Sequence, residues 1–425
     1  MSTVTASLRT NELAAIVGDQ YVVEGPDSLL EYAVDAVAPT MSVSPGNAEE
    51  VAAVLRYAYE RDLTVVPAGG FIHQEIGNTP ERIDLLLRTD RLNAVEHYDP
   101  GDLTIGIGAG MTVSALQALL REHGQVFPLD IPHTDRVTVG GAMSVAAHGP
   151  HKHFYGGLRD YCLGVRFVTA DGKAAKGGGR VVKNVAGFDL MKLMCGSYGS
   201  LGVITSASFK AFPRPRNTRT FICEFTKLSE ANEFRDWLIN SPFTPICLEL
   251  LSPKALESYA WTLATRGAGS DRVLARYKKE IGSALTREIE GPEEEQFWHR
   301  VENIGAEAPV VVNVSSPPQE GGAALASIER IAQENKVELI GWGRIGIGSL
   351  LIALTSGMAE NYSAAITALR NTLPADASAI VTRCPVPLKP EMNVWGKTPT
   401  NLAAMKAVKS AMNPKGNLNR GRFLL

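Results

Sequence analysis

Apolar positions set the reading of the first hundred residues. Between 47 and 61, Ala48, Val51, Leu55 and Ala58 fall on one helical face, and Asn47 is placed to cap it. A shorter helix is predicted over 11–16, and an amphipathic one over 112–123 that Gly124 stops. Short apolar runs predict strands over 63–67, 83–87 and 103–107, with Asp99-Pro100-Gly101-Asp102 as a turn. This order predicts a small α/β unit. Proline punctuates the chain at Phe212-Pro213-Arg214-Pro215-Arg216, and the pattern changes beyond it. Strands are predicted there over 220–225, 246–251, 308–314, 338–341 and 349–354. Helices are predicted over 231–239, 253–259, 271–280 and 323–335. Such a mixture with antiparallel-looking returns predicts an α+β second domain. A last helix over 403–412 is stopped by Asn413-Pro414-Lys415-Gly416.

The chain has 425 residues, enough for two or three domains at about 150 residues each. Apolar residues make up 45% and charged ones 20%, which permits a sizeable core and argues against disorder. Net charge is −3, and no lysine or arginine cluster marks a nucleic-acid footprint. Residues 1–10 lack the apolar core of a signal peptide, and no window approaches the roughly 20 apolar residues of a membrane span. Cys162, Cys195, Cys223, Cys247 and Cys384 are scattered, with no CxxC pair. That predicts a reducing cytoplasm, no disulfide framework and no iron–sulfur ligands in this chain.

The candidate chemistry lies between residues 138 and 215. The stretch opens with Thr138-Val139-Gly140-Gly141-Ala142-Met143-Ser144. It runs through His148-Gly149-Pro150 and Tyr155-Gly156-Gly157-Leu158-Arg159-Asp160. It closes with Lys183-Asn184-Val185-Ala186-Gly187 and with Gly196-Ser197-Tyr198-Gly199-Ser200-Leu201-Gly202-Val203-Ile204. Glycine recurs where strands turn. Only glycine adopts positive φ cheaply and lets backbone N–H groups approach a ligand. Repeated turns of such N–H groups make anion nests. Residues 138–144 read as one of these turns opening a short helix, and 201–207 read as a strand. A polyanion held by backbone suits this pattern, and a dinucleotide cofactor is one.

In this order, the motifs resemble the FAD-binding domain of the vanillyl-alcohol oxidase and p-cresol methylhydroxylase superfamily. Within it, the chain resembles the FAD-binding subunit of bacterial glycolate oxidase (glycolate dehydrogenase). The resemblance covers the first half and the last turn of the chain well, and the middle poorly. It implies a PCMH-type FAD-binding domain over 1–215, with subdomains of about 1–110 and 111–215. An α+β cap domain over 216–392 follows, and a segment over 393–425 packs back on the first domain. The implied cofactor is FAD. The positions carried over for it are Ala68, Gly69, Gly70, Phe71, Ile72 and His73 after an early strand. Pro132, Thr138, Gly140, Gly141, Ser144, His148, Gly149, Tyr155, Gly156, Asp160 and Lys183 come next. Gly196, Leu201, Gly202 and Ile204 follow, with Asn419 in the tail. The implied partners are a catalytic FAD-containing subunit and an iron–sulfur subunit, with glycolate or another small 2-hydroxy acid as substrate of the complex. The implied place is the cytoplasm, or the inner face of the membrane through partners. No catalytic residue or metal ligand is assigned in this chain.

Several departures from the family pattern matter. The first loop usually has three glycines and then a hydroxyl residue; here Phe71 replaces the third glycine and Ile72 the hydroxyl. One backbone approach and one hydrogen bond to phosphate are then in question, and Ile72→Thr is expected to tighten FAD binding. An ordinary strand-to-loop turn is the other reading of these residues. His148, His151 and His153 form HxxHxH, which would suit zinc if the imidazoles converged. A covalent histidyl–flavin bond is also known in the superfamily. The reading carried forward is a solvated basic loop beside the flavin phosphates. Lys183 either stabilises charge on reduced flavin or pairs with Asp189; spacing does not choose. Phe188 replaces a usual tyrosine and is assigned packing.

Gly341-Trp342-Gly343-Arg344-Ile345-Gly346 matches GxGxxG, but a strand follows where NAD binding needs a helix. The region resembles the glycine-rich cap segment in which catalytic 2-hydroxy-acid dehydrogenases of the superfamily carry histidines. Beyond Lys210 the sequence has one histidine, His299. Beside Phe297 and Trp298 it is expected as a partly buried packing residue. These departures point to a flavin subunit without its own hydroxy-acid site. Two alternatives stay open: a self-sufficient flavin oxidase or dehydrogenase, and a scaffold subunit that binds no flavin.

Overall fold

Asn47 caps the helix Ala48–Glu60 by accepting the Glu50 N–H at 2.8 Å. In this computed structural model, which describes residues 9–180, 187–256 and 258–424, that helix packs Val51, Val54 and Leu55 against a four-stranded sheet. The sheet order is Val22–Glu24, Met41–Val43, Leu85–Arg88, Val65–Ala68, and the last two pairings are parallel. Strand Leu85–Arg88 is buried on both faces over Leu85, Leu86 and Leu87, as parallel strands under crossover helices are.

The second sheet is antiparallel, in the order Val95–Asp99, Thr104–Gly108, Val203–Lys210, Cys162–Val168, Ala174–Gly178. Helix Val113–Arg121, capped by Thr112, sends Val113, Leu116 and Leu120 into a core with Ile105, Phe127 and Phe209. The third sheet has eight antiparallel strands. Their order is Arg287–Ile289, Thr218–Phe225, Trp261–Ala268, Cys247–Leu251, Val337–Arg344, Ser349–Gly357, Val310–Ser315, Ser378–Arg383. The architecture is α+β: a two-subdomain unit, then a cap built on this large sheet.

Strand Val65–Ala68 is an edge, and an edge strand presents unpaired backbone groups. The tail covers it. Val65 N–H donates to the Asn417 carbonyl at 2.8 Å, and Asn419 N–H donates to the Val65 carbonyl at 2.9 Å. Asn419 Nδ2 donates to the Tyr198 carbonyl at 2.7 Å, and Asn413 Nδ2 to that of Ser200 at 3.1 Å. Both subdomains are thus fastened by one segment. Val394 and Trp395, earlier in the tail, still pack in the cap core.

Two expectations about the second half need correction. Residues 253–259 form no helix among the described residues. They close the connection between neighbouring strands Cys247–Leu251 and Trp261–Ala268, with Lys254 at φ +69° and its N–H on the Ser258 carbonyl. The helix expected over 323–335 is two helices, Gly321–Ala326 and Ile328–Asn335. They break at Ser327, whose hydroxyl donates to the Ala324 carbonyl. Strand Trp261–Ala268 and helices Gly291–Glu302 and Ala359–Thr372 had no predicted counterpart. The strand is buried on both faces along most of its length, so it shows no alternation to read.

One buried ion pair ties the end of the cap to the first subdomain. Lys389 Nζ lies 2.6 Å from Asp35 Oδ2, both side chains are 2% exposed, and the ammonium also donates to the Glu75 carbonyl. Removing one partner leaves the other buried without its counter-charge. Lys389→Met is therefore expected to cost about 3–5 kcal/mol in urea unfolding, and the Asp35→Asn/Lys389→Met double variant clearly less. A single-variant loss below about 1 kcal/mol would show that the pair holds nothing together.

Candidate functional site

Two glycine turns meet where the subdomains join. Strand Val65–Ala68 ends in Gly69 and Gly70. A β-carbon on Gly69 would lie 2.1 Å from Thr138 Oγ1, and one on Gly70 would lie 1.7 Å from the Arg136 carbonyl oxygen. The Arg136 guanidinium returns a hydrogen bond to the Gly70 carbonyl at 3.4 Å. Thr138 also caps the short helix Val139–Ser144 by accepting the Gly141 N–H. Gly140 N–H donates to the Ala109 carbonyl at 2.8 Å, and a β-carbon there would crowd Ala109. At Gly141 a β-carbon would meet only Thr138 Oγ1, at 3.1 Å.

A cleft of about 740 Å³ opens beside these turns. Ala68, Gly69, His73, Gly140, Gly141, Ser144, Gly202, Ile204 and Asn419 line it, as the sequence suggested they would be gathered. Residues not singled out beforehand close its far wall. Tyr198, Trp395 and Phe423 pack ring on ring at 4.8–5.4 Å between centroids. Arg422 is buried and donates to Gln74 Oε1 at 2.7 Å and to the Ile76 carbonyl at 2.9 Å. Burial lowers its pKa to about 10. The sequence signal for this wall was weak, because Trp395 and Phe423 are far from the glycine turns along the chain.

A second cavity, of about 880 Å³, lies between the first domain and the cap. Ile72, His73, Pro132, His148 and Gly149 line it from the first domain. Glu249, Glu302, Arg344 and Arg383 line it from the cap. His73 faces both spaces. Its Nε2 is buried with no partner, and burial, then Arg383 and His133, lower its pKa to about 4. Burial raises Glu249 to about 7 and Glu302 to about 8.

Several expected positions are placed elsewhere. Phe71 sits at φ +65°, the conformation a glycine would adopt, so the turn survives. Its ring turns away from the cleft onto Tyr32, 5.2 Å between centroids. Ile72 lines the second cavity and not the glycine cleft, so the hydroxyl of Ile72→Thr would not enter the cleft. Tyr155 packs edge-on against Phe212 and His151, outside both spaces. Asp160 accepts the Gly157 N–H at 2.8 Å, and Gly156 at φ +79° leaves room for that carboxylate; both are structural. Gly196 is a φ +81° turn whose N–H donates to the Met143 carbonyl, and Leu201 is core. Lys183 lies outside the described residues. Asp189 pairs with Lys192 at 2.7 Å.

The three histidines are not a solvated basic loop. His151 donates its N–H to Asp130 and its ring contacts the same carboxylate. Burial would raise Asp130, but the His151 charge and hydrogen bonds hold it low. His148 is held well below the usual histidine range by burial, then by Arg344 and Lys152. Burial lowers His153, beneath the cap turn at Gly346, to about 4. They face the cap because 148–155 is the seam on which the cap rests. Phe188 is 88% exposed and so packs little. The His299 side chain is 77% exposed, on the outer face of its helix, and is not a packing residue.

Comparisons with known proteins agree with this geometry. Residues 39–178 match the family model described as an FAD binding domain. The chain is 29% identical to glycolate oxidase subunit GlcE of Escherichia coli over 58% of this chain and 71% of that protein. It is 25% identical to glycolate oxidase subunit GlcD of Bacillus subtilis over 94% and 95%. It shares its fold with 4-ethylphenol oxidase from Gulosibacter chungangensis, with TM-score 0.75 and 15% identity over 97% of this chain and 96% of that one. Residues 39–178 carry an FAD-binding domain, the chain as a whole has the fold of 4-ethylphenol oxidase and p-cresol methylhydroxylase, and it is an FAD-dependent oxidoreductase. Within that class it is similar to the glycolate oxidase subunits. The cleft fits the cofactor: backbone at Gly69, Gly140, Gly141 and Gly202 lines it without side chains, and His73 on its wall has an unpartnered buried nitrogen.

The glycines separate folding from binding. Gly141 lines the cleft, and a β-carbon there meets only the Thr138 hydroxyl, so Gly141→Val is expected to give a folded protein with severely reduced FAD content. Gly69→Val would drive into Thr138 and is expected to lower the melting temperature as well. Flavin absorbance per folded chain, read beside a thermal melt, checks both. Full flavin content in folded Gly141→Val would remove Gly141 from the site.

Proposed function

We propose that this chain is the FAD-carrying subunit of a glycolate-oxidase-type complex, in the cytoplasm or on the inner membrane face through its partners. FAD would be held by Ala68, Gly69, His73, Gly140, Gly141, Ser144, Gly202, Ile204 and Asn419. Bound FAD supplies the electron-accepting ring; the chain's residues orient it and shield it from water. A catalytic flavoprotein subunit and an iron–sulfur subunit would complete the electron path. We also propose the division into a binding domain over 1–215, a cap over 216–392 and a returning segment over 393–425. No helix among the described residues is long and apolar enough to cross a membrane.

One observation carries the subunit reading. The imidazoles lining the second cavity, His73, His133 and His148, all come from the first domain, and burial pushes His73 and His148 away from basicity. A histidine general base works best with a pKa near the operating pH. A second reading, oxidation of a small hydroxy acid by this chain alone, is favoured by Glu249 and Glu302. Near 7 and 8, these carboxylates lie in the range useful for taking a proton.

Dye reduction distinguishes the two. The isolated FAD-loaded chain is expected to show little glycolate turnover, and the complex reconstituted with both partners to show full turnover. Rapid turnover by the isolated chain would establish the second reading. His299→Ala removes an exposed ring that lines neither cavity, although it stands 4.0 Å from Glu302, and is expected to leave the complex within about twofold. A loss of about a hundredfold, the scale of a missing general base, would contradict that.

A further inference from the structure

We propose that Glu302, with Asp130 and His151, forms a proton gate between an open cleft and the buried cavity under the cap, and that His73 carries the path on to the cofactor cleft. The proposal deepens the oxidoreductase reading and rests on it for FAD in the cofactor cleft. Two-electron reduction of FAD to its anionic reduced form takes up one proton. Oxidation of a hydroxy acid by hydride transfer to FAD instead leaves the hydroxyl proton to be released. Whether a partner's reduced flavin or a hydroxy acid supplies the electrons, one proton must cross between the buried site and water.

Three spaces adjoin in order. The open cleft runs between the second subdomain and the cap, bounded by Gln125, Arg216 and Trp298. Asp130 and Glu302 line both that cleft and the buried cavity. His73 lines both the cavity and the cofactor cleft, and its Nε2 is buried without a partner. Among the described residues, no other titratable side chain lines two of these spaces. The cavity between them is roomy and carries polar groups at both ends, so water can bridge it.

The gate is built from both domains. Asp130 is fixed by close packing, because a β-carbon on Gly149 would lie 1.7 Å from its carbonyl oxygen. His151 donates its N–H to the Asp130 carboxylate, and its ring contacts the same oxygen. Burial would raise the Asp130 pKa, but His151 holds it low. Glu302 ends helix Gly291–Glu302, where the helix dipole opposes a negative charge. Burial and then the charge of Asp130 raise its pKa to about 8, against the pull of Arg266, which is itself paired with Glu294. At neutral pH Glu302 therefore holds a proton beside an ionised carboxylate. Its side chain is 23% exposed, and the His299 ring stands 4.0 Å away on the side of the open cleft. Across the cavity, Glu75 is paired with Arg383, and Glu249 stands beside Arg344. His133 and His148 complete the titratable lining. Glu302 can thus exchange its proton with water in the cleft and pass it to the cavity, or the reverse.

The test uses the FAD-loaded full chain, reduced with dithionite in a stopped flow while flavin absorbance is followed in H2O and in D2O. Glu302→Gln is expected to slow bleaching at pH 7 by about tenfold or more and to enlarge the solvent isotope effect. Imidazole, a small proton carrier, is expected to restore most of the rate, and Glu302→Asp to retain most of it. His299→Ala is expected to match the wild type. A thermal melt and the flavin content confirm folding and loading. Infrared titration of the chain without FAD gives an independent readout. A carboxylic C=O band lost as pH rises through about 8 is expected in the wild type and is expected to be missing from Glu302→Gln. Unchanged bleaching in Glu302→Gln, slowing that imidazole does not relieve, or absence of that band from the wild type would overturn the proposal. A chain that holds no FAD but shows the band would sink the flavin reading and the His73 branch with it, and leave the Glu302 gate standing.

Discussion

The closure of Gly69 and Gly70 against Thr138 and Arg136 is the constraint on which the rest depends. At 1.7–2.1 Å from where a β-carbon would be, the opposing atoms leave no room for any side chain. The two subdomains have different sheets, Val168, Ala170 and Val203 of the second join the core under the first, and at these glycines their loops touch. The same contact does two jobs. It fixes the angle between the subdomains, and it leaves the Gly140–Gly141 backbone bare toward the cleft. Binding surface and folding contact are therefore made by adjacent glycines facing different ways.

The tail acts on the same joint from the other side. It supplies backbone bonds to the exposed edge of the first sheet and a side-chain bond to the Tyr198 carbonyl of the second subdomain. Asn419 adopts φ +48°, a region asparagine tolerates better than most side chains. Arg422 then donates to Gln74 and Ile76 and seals the loop that follows the first glycine turn. The buried Lys389–Asp35 pair fastens the approach to this tail. A cofactor cleft between two subdomains thus keeps its shape because a third piece of chain ties both.

The histidines show how the cap changes the chemistry of residues that belong to the first domain. HxxHxH at a loop reads as basic and solvated. Once the cap rests on it, burial disfavours the charged imidazoles, and Arg344 and Lys152 disfavour His148 further. Only His151 finds a carboxylate, at Asp130. The cavity formed this way combines neutral imidazoles with a buried guanidinium and two carboxylates of raised pKa.

The sequence by itself determined the class of fold, the cofactor and the glycine-lined side of the cleft. Capping residues such as Asn47, Thr112 and Thr138 act locally, and glycine turns state their backbone demand at the position where it arises. Those signals are readable because cause and residue coincide. Tertiary structure decided the rest. Phe71 looked like a lost glycine, but surrounding packing holds it in the glycine conformation with its ring on Tyr32. Tyr155 and Asp160 sit inside a recognisable motif yet serve its packing and its capping. Trp395, Phe423 and Arg422 reach the cleft only after the tail returns across the edge strand. Glu249 and Arg344 lie 95 residues apart in sequence, and their meeting is set by the antiparallel pairing of two cap strands. Burial and long-range register are properties of the folded chain, so no local pattern could announce them.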